Sequence, residues 1–405
     1  MIVATWVVFL LTYLGVAIGR LPRSRLDRAG IALLGAALMI GLGVVSLPEA
    51  YAAIDWNTIV LLLGTMIIAA HLDASGIFAL LADKAARGLR GPLTLLAVVL
   101  LVSATASAFL VNDTVCLMLA PVVVNLTRRL QRNPLPYLLG LATAANIGAA
   151  ATITGNPQNM IIGSASGIRY LDFAAALAPV ALVGLILAFA LIGLLHRAEF
   201  RMPWVPPLAA MPRRRPARLT LVTLAVTLAT ILGFFLLDPV AKPAILAAAI
   251  LFLAGGLRPR RVYAAVDWSL LLMFCGLFVV STAIAKVALT PGVLSRVDSL
   301  PLQNVPVLTM LAAVLSNLVS NVPAVLILKP FIAHMAHPNP AWLCLAMAST
   351  LAGNFTIVGS VANMIVVEKA ARAGVEIGFA DYFRLGAPLT VLSLVAGMLI
   401  LMGSV

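Results

Sequence analysis

Residues 152–164 read T-I-T-G-N-P-Q-N-M-I-I-G-S, and residues 356–367 read T-I-V-G-S-V-A-N-M-I-V-V. In both, a glycine (Gly155, Gly359) stands four residues before an Asn-Met-Ile (Asn159, Asn363), and apolar runs flank the segment on either side. Gly155-Asn156-Pro157 permits unusual dihedrals and removes a backbone donor, so the helix is expected to break in mid-span. Unpaired backbone is excluded from lipid and survives only where it is buried in protein or lines a cavity. Each break leaves a helix C-terminus facing a helix N-terminus. Free carbonyls at one end can coordinate a cation, and free N–H groups at the other can hold an anionic or oxygen-rich ligand.

Composition fixes the solvent. Of 405 residues 62% are hydrophobic and 10% are charged, with a mean hydropathy of +1.10. That leaves too little polar surface to cover a water-soluble globule of this size. The apolar stretches reach the roughly 20 residues a helix needs to cross the hydrocarbon, and no alternating strand pattern competes with them. The chain reads as an all-α integral membrane protein. Its first twenty residues lack a basic segment ahead of the apolar run, which predicts a retained span and not a signal peptide. Cys116, Cys275 and Cys344 all lie in apolar runs, which argues against disulfides and a metal cage.

The net charge of +13 has a topological explanation that requires no nucleic acid. Arg20, Arg23, Arg25 and Arg28 group together, as do Lys84, Arg87 and Arg90, then Arg128, Arg129 and Arg132, and the cluster from Arg197 to Arg218. With Arg258, Arg260, Arg261, Lys369, Arg372 and Arg384, they are placed on the cytoplasmic side by the positive-inside rule, and the N-terminus is then extracytoplasmic. Arg90 and Arg128 must lie on the same side, so the apolar stretch between them is a re-entrant hairpin with V-N-D-T at its tip. By the same reasoning 303–337, centred on V-S-N-V-P, dips from the opposite face.

An internal repeat explains the doubling. A-I-D-W-N-T-I-V-L-L-L-G (53–64) matches A-V-D-W-S-L-L-L-M-F-C-G (265–276), and L-V-N-D-T-V (110–115) matches L-V-S-N-V-P (318–323). The two glycine segments follow in the same order, at offsets drifting from 212 through 208 to 204. Two homologous halves are expected, an N-terminal repeat over 1–200 and a C-terminal repeat over 219–405, joined by a basic Pro/Arg cytoplasmic linker over 201–218. Each holds five spans, one of them broken, plus one re-entrant hairpin, giving about ten crossings and two hairpins. Five is odd, so the second half sits inverted, the plan of secondary transporters. Asp55 then falls outside and Asp267 inside.

Hairpin tips with an Asn-centred triplet, followed by glycine-broken spans in inverted halves, resemble the ion transporter superfamily. That superfamily includes the divalent anion/sodium symporters, the arsenite-efflux permeases and the melanosomal P protein. F-L-V-N-D-T-V-C-L-M-L-A-P and I-T-G-N-P-Q-N are most similar to the branch of arsenite pumps and plant silicon efflux transporters. The resemblance implies a mobile transport region of hairpins, broken spans and closing spans that moves against a scaffold. It also implies that scaffolds in this superfamily commonly dimerise. The dicarboxylate symporters carry Ser-Asn-Thr at both tips, whereas here the tips are Asn112-Asp113-Thr114 and Ser320-Asn321-Val322. A carboxylate repels a dianion unless it is protonated or neutralised by Na⁺, so Asp113 favours a weakly charged oxyacid with H⁺ or Na⁺ coupling.

The expected site therefore comprises Asn112, Asp113, Thr114, Thr154, Gly155, Asn156, Asn159, Ser320, Asn321, Asn354, Gly359, Ser360 and Asn363. Na⁺ is expected among Asn112, Asp113, Gly155, Asn321 and Gly359. Simpler roles compete: Asp113 as a helix cap, Asn159 and Asn363 as ties across the breaks, and Asp55 and Asp267 as helix starts. Cys116 reads as a packing residue, Glu368 as an interfacial carboxylate and Lys329 as a snorkelling cation. Segments 73–90 and 286–300 carry mixed charge at helical spacing and suit helices lying in the interface. The sequence lacks H-E-x-x-H, G-x-S-x-G and Walker patterns, so neither an enzyme nor self-contained ATP-driven pumping is expected, and no cofactor or ATPase partner is required. The reading is an alternating-access carrier in a bacterial-type inner membrane that moves an arsenite- or silicate-like oxyanion or metalloid oxyacid, most simply outward. Na⁺-coupled di- or tricarboxylate uptake and Na⁺/H⁺ antiport are the alternatives.

Overall fold

The computed structural model describes residues 2–19, 26–88, 90–204, 218–288 and 302–404. The linker from 205 to 217 and the second interfacial segment from 289 to 301 lie outside the described residues. The described chain is helical throughout. In the first half, α1 (Ile2–Ile18), α2 (Arg28–Gly41), α3 (Leu47–Ala53) and α4 (Trp56–Ser75) precede α5 (Ile77–Gly88). The hairpin arms α6 (Pro92–Phe109) and α7 (Asn112–Arg129) follow, then the broken span α8 (Pro134–Ala150) and α9 (Pro157–Ser166), the closing span α10 (Tyr170–Leu195) and the short α11 (Arg197–Arg201). The second half repeats this order with α12 (Arg218–Leu236), α13 (Ala241–Ala254), α14 (Pro259–Ala265) and α15 (Trp268–Ala288). Its hairpin is α16 (Val305–Val319) and α17 (Asn321–Ala333), its broken span α18 (Pro338–Ala352) and α19 (Val361–Arg372), and its closing span α20 (Phe379–Ser404).

Six of these helices are long and apolar enough to cross a bilayer. The equivalent helices α2 and α13 have 14 residues each, and turns through left-handed Gly43 and Gly256 lead each of them into the short α3 and α14. Asp55 and Asp267 start α4 and α15, accepting from the backbone N–H groups of Thr58 and Leu270, as their sequence positions predict.

Without a hydrophobic driving force in lipid, helices associate through small residues that let backbones approach. The two halves use that device reciprocally. α4 packs on α13, and α15 packs on α2. A side chain at Gly64 would meet the backbone of Ala244 at 2.8 Å, and one at the equivalent Gly276 would meet the backbone of Ala32 at 2.6 Å. Each half thus supplies the groove for the other's fourth element, and neither can bury that face alone. A salt bridge between Lys286 and Glu49 at 2.5 Å joins the halves at the surface. With the Ser46 cap, it holds the Glu49 carboxyl well below the ordinary carboxylate range, at about 2.

The first half closes with a buried clasp that the sequence did not announce. Arg132, in the turn between α7 and α8, donates to the carbonyls of Met202 and Pro203 and lies 3.8 Å from the Glu199 carboxylate, while Tyr137 donates to the same carboxylate. Its guanidinium also sits over the Trp204 ring. The start of the linker is tied by these contacts to the hairpin and the broken span.

Candidate functional site

Both predicted breaks are present. α8 ends at Ala150, a 3₁₀ turn covers Ile153–Gly155, and α9 starts at Pro157; α18 ends at Ala352, a 3₁₀ turn covers Ile357–Gly359, and α19 starts at Val361. Each break is stapled by its own asparagine. Asn159 donates to the carbonyls of Ala149 and Thr152 at 3.1 and 3.0 Å, and Asn363 donates to those of Gly353 and Thr356 at 2.8 and 3.0 Å. The tie that the sequence left as an alternative role for these two residues is what their amides do. The break carbonyls of Ala149, Thr152, Gly353 and Thr356 are occupied by amide donors.

Gly155 is required by backbone meeting backbone: a side chain there would lie 2.2 Å from the Ala149 carbonyl. At Gly359 the nearest atom, the Gly353 carbonyl, is 2.9 Å away. Thr154 turns away from the centre, donating to the Ala108 carbonyl and meeting the Tyr170 hydroxyl at 2.8 Å. Thr114 is half-buried on α7.

Two residues outside the predicted set connect the halves. Asn146 of α8 donates to Asn354 and Asn363 at 2.8 and 3.0 Å and accepts from Asn112 and Ser360 at 2.8 and 3.0 Å. All four of its hydrogen-bonding positions are used. Thr350 of α18, at the repeat offset of 204 from Asn146, accepts from Asn156 and Gln158 and donates to Asn159. Each half therefore sends one polar side chain from the first part of its broken span into the second part of the other's. Asn354 completes the hub by donating to the Thr143 carbonyl.

Directly against this hub lies a cavity of about 300 Å³. Its inner wall is built from both hairpin tips, Asn112, Asp113, Ser320 and Asn321, and from the second parts of both broken spans, Pro157, Gln158, Ser360 and Val361. Thr114, Thr154, Gly155, Asn156, Asn159, Asn354, Gly359 and Asn363 are not in the wall; those that support it do so from behind. Four helices, α7, α9, α17 and α19, begin at the wall, so four positive dipole ends converge there. The Asp113 carboxyl reaches the backbone N–H of Ala362 at the start of α19. The side-chain oxygens of Asn112 and Asn321 are buried with no donor among the described residues. Ser320 holds φ at 79°, an uncommon conformation for a residue with a side chain, and strain of this kind gathers at functional sites.

The mouth of the cavity is lined by Asp27, Arg28 and Asp267. Asp267 is thus more than a helix start, because it faces the same space as Asp113. A second cavity of about 460 Å³ lies at the opposite end, lined by Asn57, Ser164, Arg169 and Asp238 among others, and it contains no hairpin-tip residue. Tyr170 stands on its wall, stacked on Phe234 at 5.6 Å and edge-on to Phe235 at 4.8 Å. The tips are exposed to one end of the molecule.

Two other sequence candidates take their simpler roles: Glu368 pairs with Arg372 at the surface and Cys116 is buried in the core. The Lys329 ammonium, expected to snorkel, lies instead over the ring of the buried Phe278. Among the described residues no group of His, Cys, Asp and Glu side chains could hold a metal cage.

Inverted halves that converge on one central cavity define a membrane transporter. The citrate transporter family profile matches residues 7–352, and the chain belongs to that family. A Mycobacterium tuberculosis protein described as an uncharacterized transporter is 33% identical, with 92% of each chain covered. The silicon efflux transporter LSI3 of Oryza sativa subsp. japonica is 29% identical over 93% of each chain. Among solved structures, the YdaH transporter of Alcanivorax borkumensis shares the fold at a TM-score of 0.63 and 15% identity, covering 98% of this chain and 95% of that one.

Proposed function

We propose that the protein is an ion-coupled carrier for a small oxyanion or metalloid oxyacid, arsenite- or silicate-like, working by alternating access. The observation that carries this reading is the convergence of four helix N-termini with the Asp113 carboxylate at the inner wall of a cavity open to one end. Oriented N–H groups suit an oxygen-rich solute, and a volume of about 300 Å³ sits at the lower limit for small-molecule sites. Asp113 disfavours a solute that arrives with two full negative charges, which sets this reading ahead of dicarboxylate uptake. The likeness to a silicon efflux transporter supports an oxyacid and outward movement. The coupling ion, H⁺ or Na⁺, is assigned to the Asp113 carboxylate with the unpaired oxygens of Asn112 and Asn321 beside it.

Proteoliposomes loaded with arsenite or silicic acid should show saturable counterflow that responds to an imposed pH or Na⁺ gradient. Flux that rises linearly with solute, or that carries citrate and succinate in preference, would reject the reading in favour of a channel or a carboxylate symporter. The orientation proposed is N-terminus outside, in a bacterial-type inner membrane, with the Arg28 mouth facing the cytoplasm. A cysteine placed next to Asp55 should then label in intact cells, and one next to Asp267 only after permeabilisation; the reverse pattern would invert the assignment, and same-side labelling would remove the inverted repeat.

A further inference from the structure

A second groove lies on the flank of the first hairpin, away from the central cavity. It runs between α5 and the two hairpin arms, about 270 Å³ in volume with almost wholly apolar walls. Phe78 and Lys84 come from α5, Val102 and Ser103 from α6, and Val122 and Leu126 from α7. The hairpin arms expose Leu93, Leu101 and Leu117, and Leu81 of α5 is exposed on the groove lining, as on a surface that meets lipid. Two observations give the groove an occupant. The Ser103 hydroxyl is buried and has no partner among the described residues, although it stands on the groove wall. Lys84, exposed, carries the one charge on the lining, and the rim lies at the end of the hairpin where Arg90 precedes α6 and Arg128 and Arg129 close α7.

An apolar slot with an ammonium at its rim and an unpaired donor inside matches a phospholipid whose phosphate is anionic and whose glycerol esters are acceptors. Basic pockets between membrane helices bind acidic head groups for this reason. We propose that this groove holds an anionic phospholipid of the surrounding leaflet, with its phosphate at Lys84, its ester oxygens near Ser103 and its chain along Val102 and Val122. The lipid then fills the slot beside the direct contact between α5 and α7, so that part of the surface the hairpin meets there is a fluid chain.

Binding is measured apart from transport, so its outcome is independent of the substrate proposed above. The full-length protein, extracted from vesicles of phosphatidylcholine mixed with phosphatidylglycerol, is analysed by native mass spectrometry for retained lipid. The wild type should retain phosphatidylglycerol in preference to phosphatidylcholine. Lys84→Ala should lower that retention about fivefold, the effect of one basic group at an anionic surface, while Lys84→Arg preserves it. Val102→Phe, which fills the slot and keeps Lys84, should lower retention of both lipids, with monodisperse elution showing that the variant is folded. Equal retention of the two lipids by the wild type, or unchanged retention in Lys84→Ala, overturns the proposal, as does full retention in Val102→Phe.

Discussion

Replacing Asn146 with Leu is expected to abolish transport and to lower stability by about 2–4 kcal/mol. The side chain is 1% exposed and joins Asn112, Ser360, Asn354 and Asn363, three of them in the opposite half. Leu fills similar space but leaves two donors and two acceptors without their partner in a place water reaches poorly. Stranding a buried group costs about 1–3 kcal/mol in soluble proteins. Side-chain hydrogen bonds within membranes average nearer 0.6 kcal/mol, because the unfolded chain in lipid also finds partners, so four contacts give the lower sum adopted here. Function should suffer more than stability, since Asn112 is a hairpin tip and Ser360 a cavity-wall residue, and both are aimed by this one amide. Asn146→Asp tests the direction of the bonds: it still accepts from Asn112 and Ser360 but turns a carboxylate toward the oxygens of Asn354 and Asn363. Flux in proteoliposomes and thermal unfolding in detergent would decide the matter. Parental values of both for Asn146→Leu would show that the hub is incidental.

The hub also marks the limit of what the sequence discloses. The breaks were legible because Gly and Pro act locally, and the structure places them between Ala150 and Pro157 and between Ala352 and Val361, where the motifs stand. The first hairpin was legible because basic residues at both ends of an apolar stretch force it to return, and the second because Arg261 and Arg372 on one side fix the parity of the spans around it. Asn146 and Thr350 were not, since each is one polar residue among several in an alanine-rich helix and has partners about 200 positions away. The usable signal was the repeat offset of 204, which pairs the two as counterparts ahead of their respective breaks. The same distance hid the role of Asp267. As a local helix start it looked complete, and its place at the cavity mouth depends on the second half packing against α2. Conversely, the local reading overstated Gly155, where the approach is to the protein's own Ala149 carbonyl. Ser320's left-handed backbone follows from hairpin geometry that no residue preference foretells.

Replacing Asp113 with Asn is expected to uncouple the carrier and leave exchange intact. Asp113 is the one acid at either tip; its counterpart in the second half is Asn321, so the substitution makes the two tips alike in charge. An ionised side chain is expensive to move through a membrane interior, whereas a carboxyl neutralised by a proton or by Na⁺ is much less so. If the first hairpin crosses with its solute when the solute's hydroxyl groups satisfy the Asp113 carboxylate, and returns without solute only when a proton or Na⁺ neutralises it, each cycle exchanges solute for ion and the two gradients are tied through this group. Asn keeps the size and can still meet the Ala362 N–H through its carbonyl, but it is neutral at every pH and gives Na⁺ no charge to bind. The hairpin then crosses in either condition. Solute should equilibrate across proteoliposomes at a rate near the parent's, yet fail to accumulate. A difference of about one pH unit is worth about 1.4 kcal/mol per proton, a tenfold concentration ratio, and the parent should reach that order of ratio with the correct coupling ion while the variant settles at unity. The pH and Na⁺ dependence of flux should flatten together with the loss of accumulation. Should Asp113→Asn still drive solute uphill with the parental response, Asp113 is a helix-start residue only. Coupling would then pass to Asp267 or Asp27, the carboxylates at the cavity mouth.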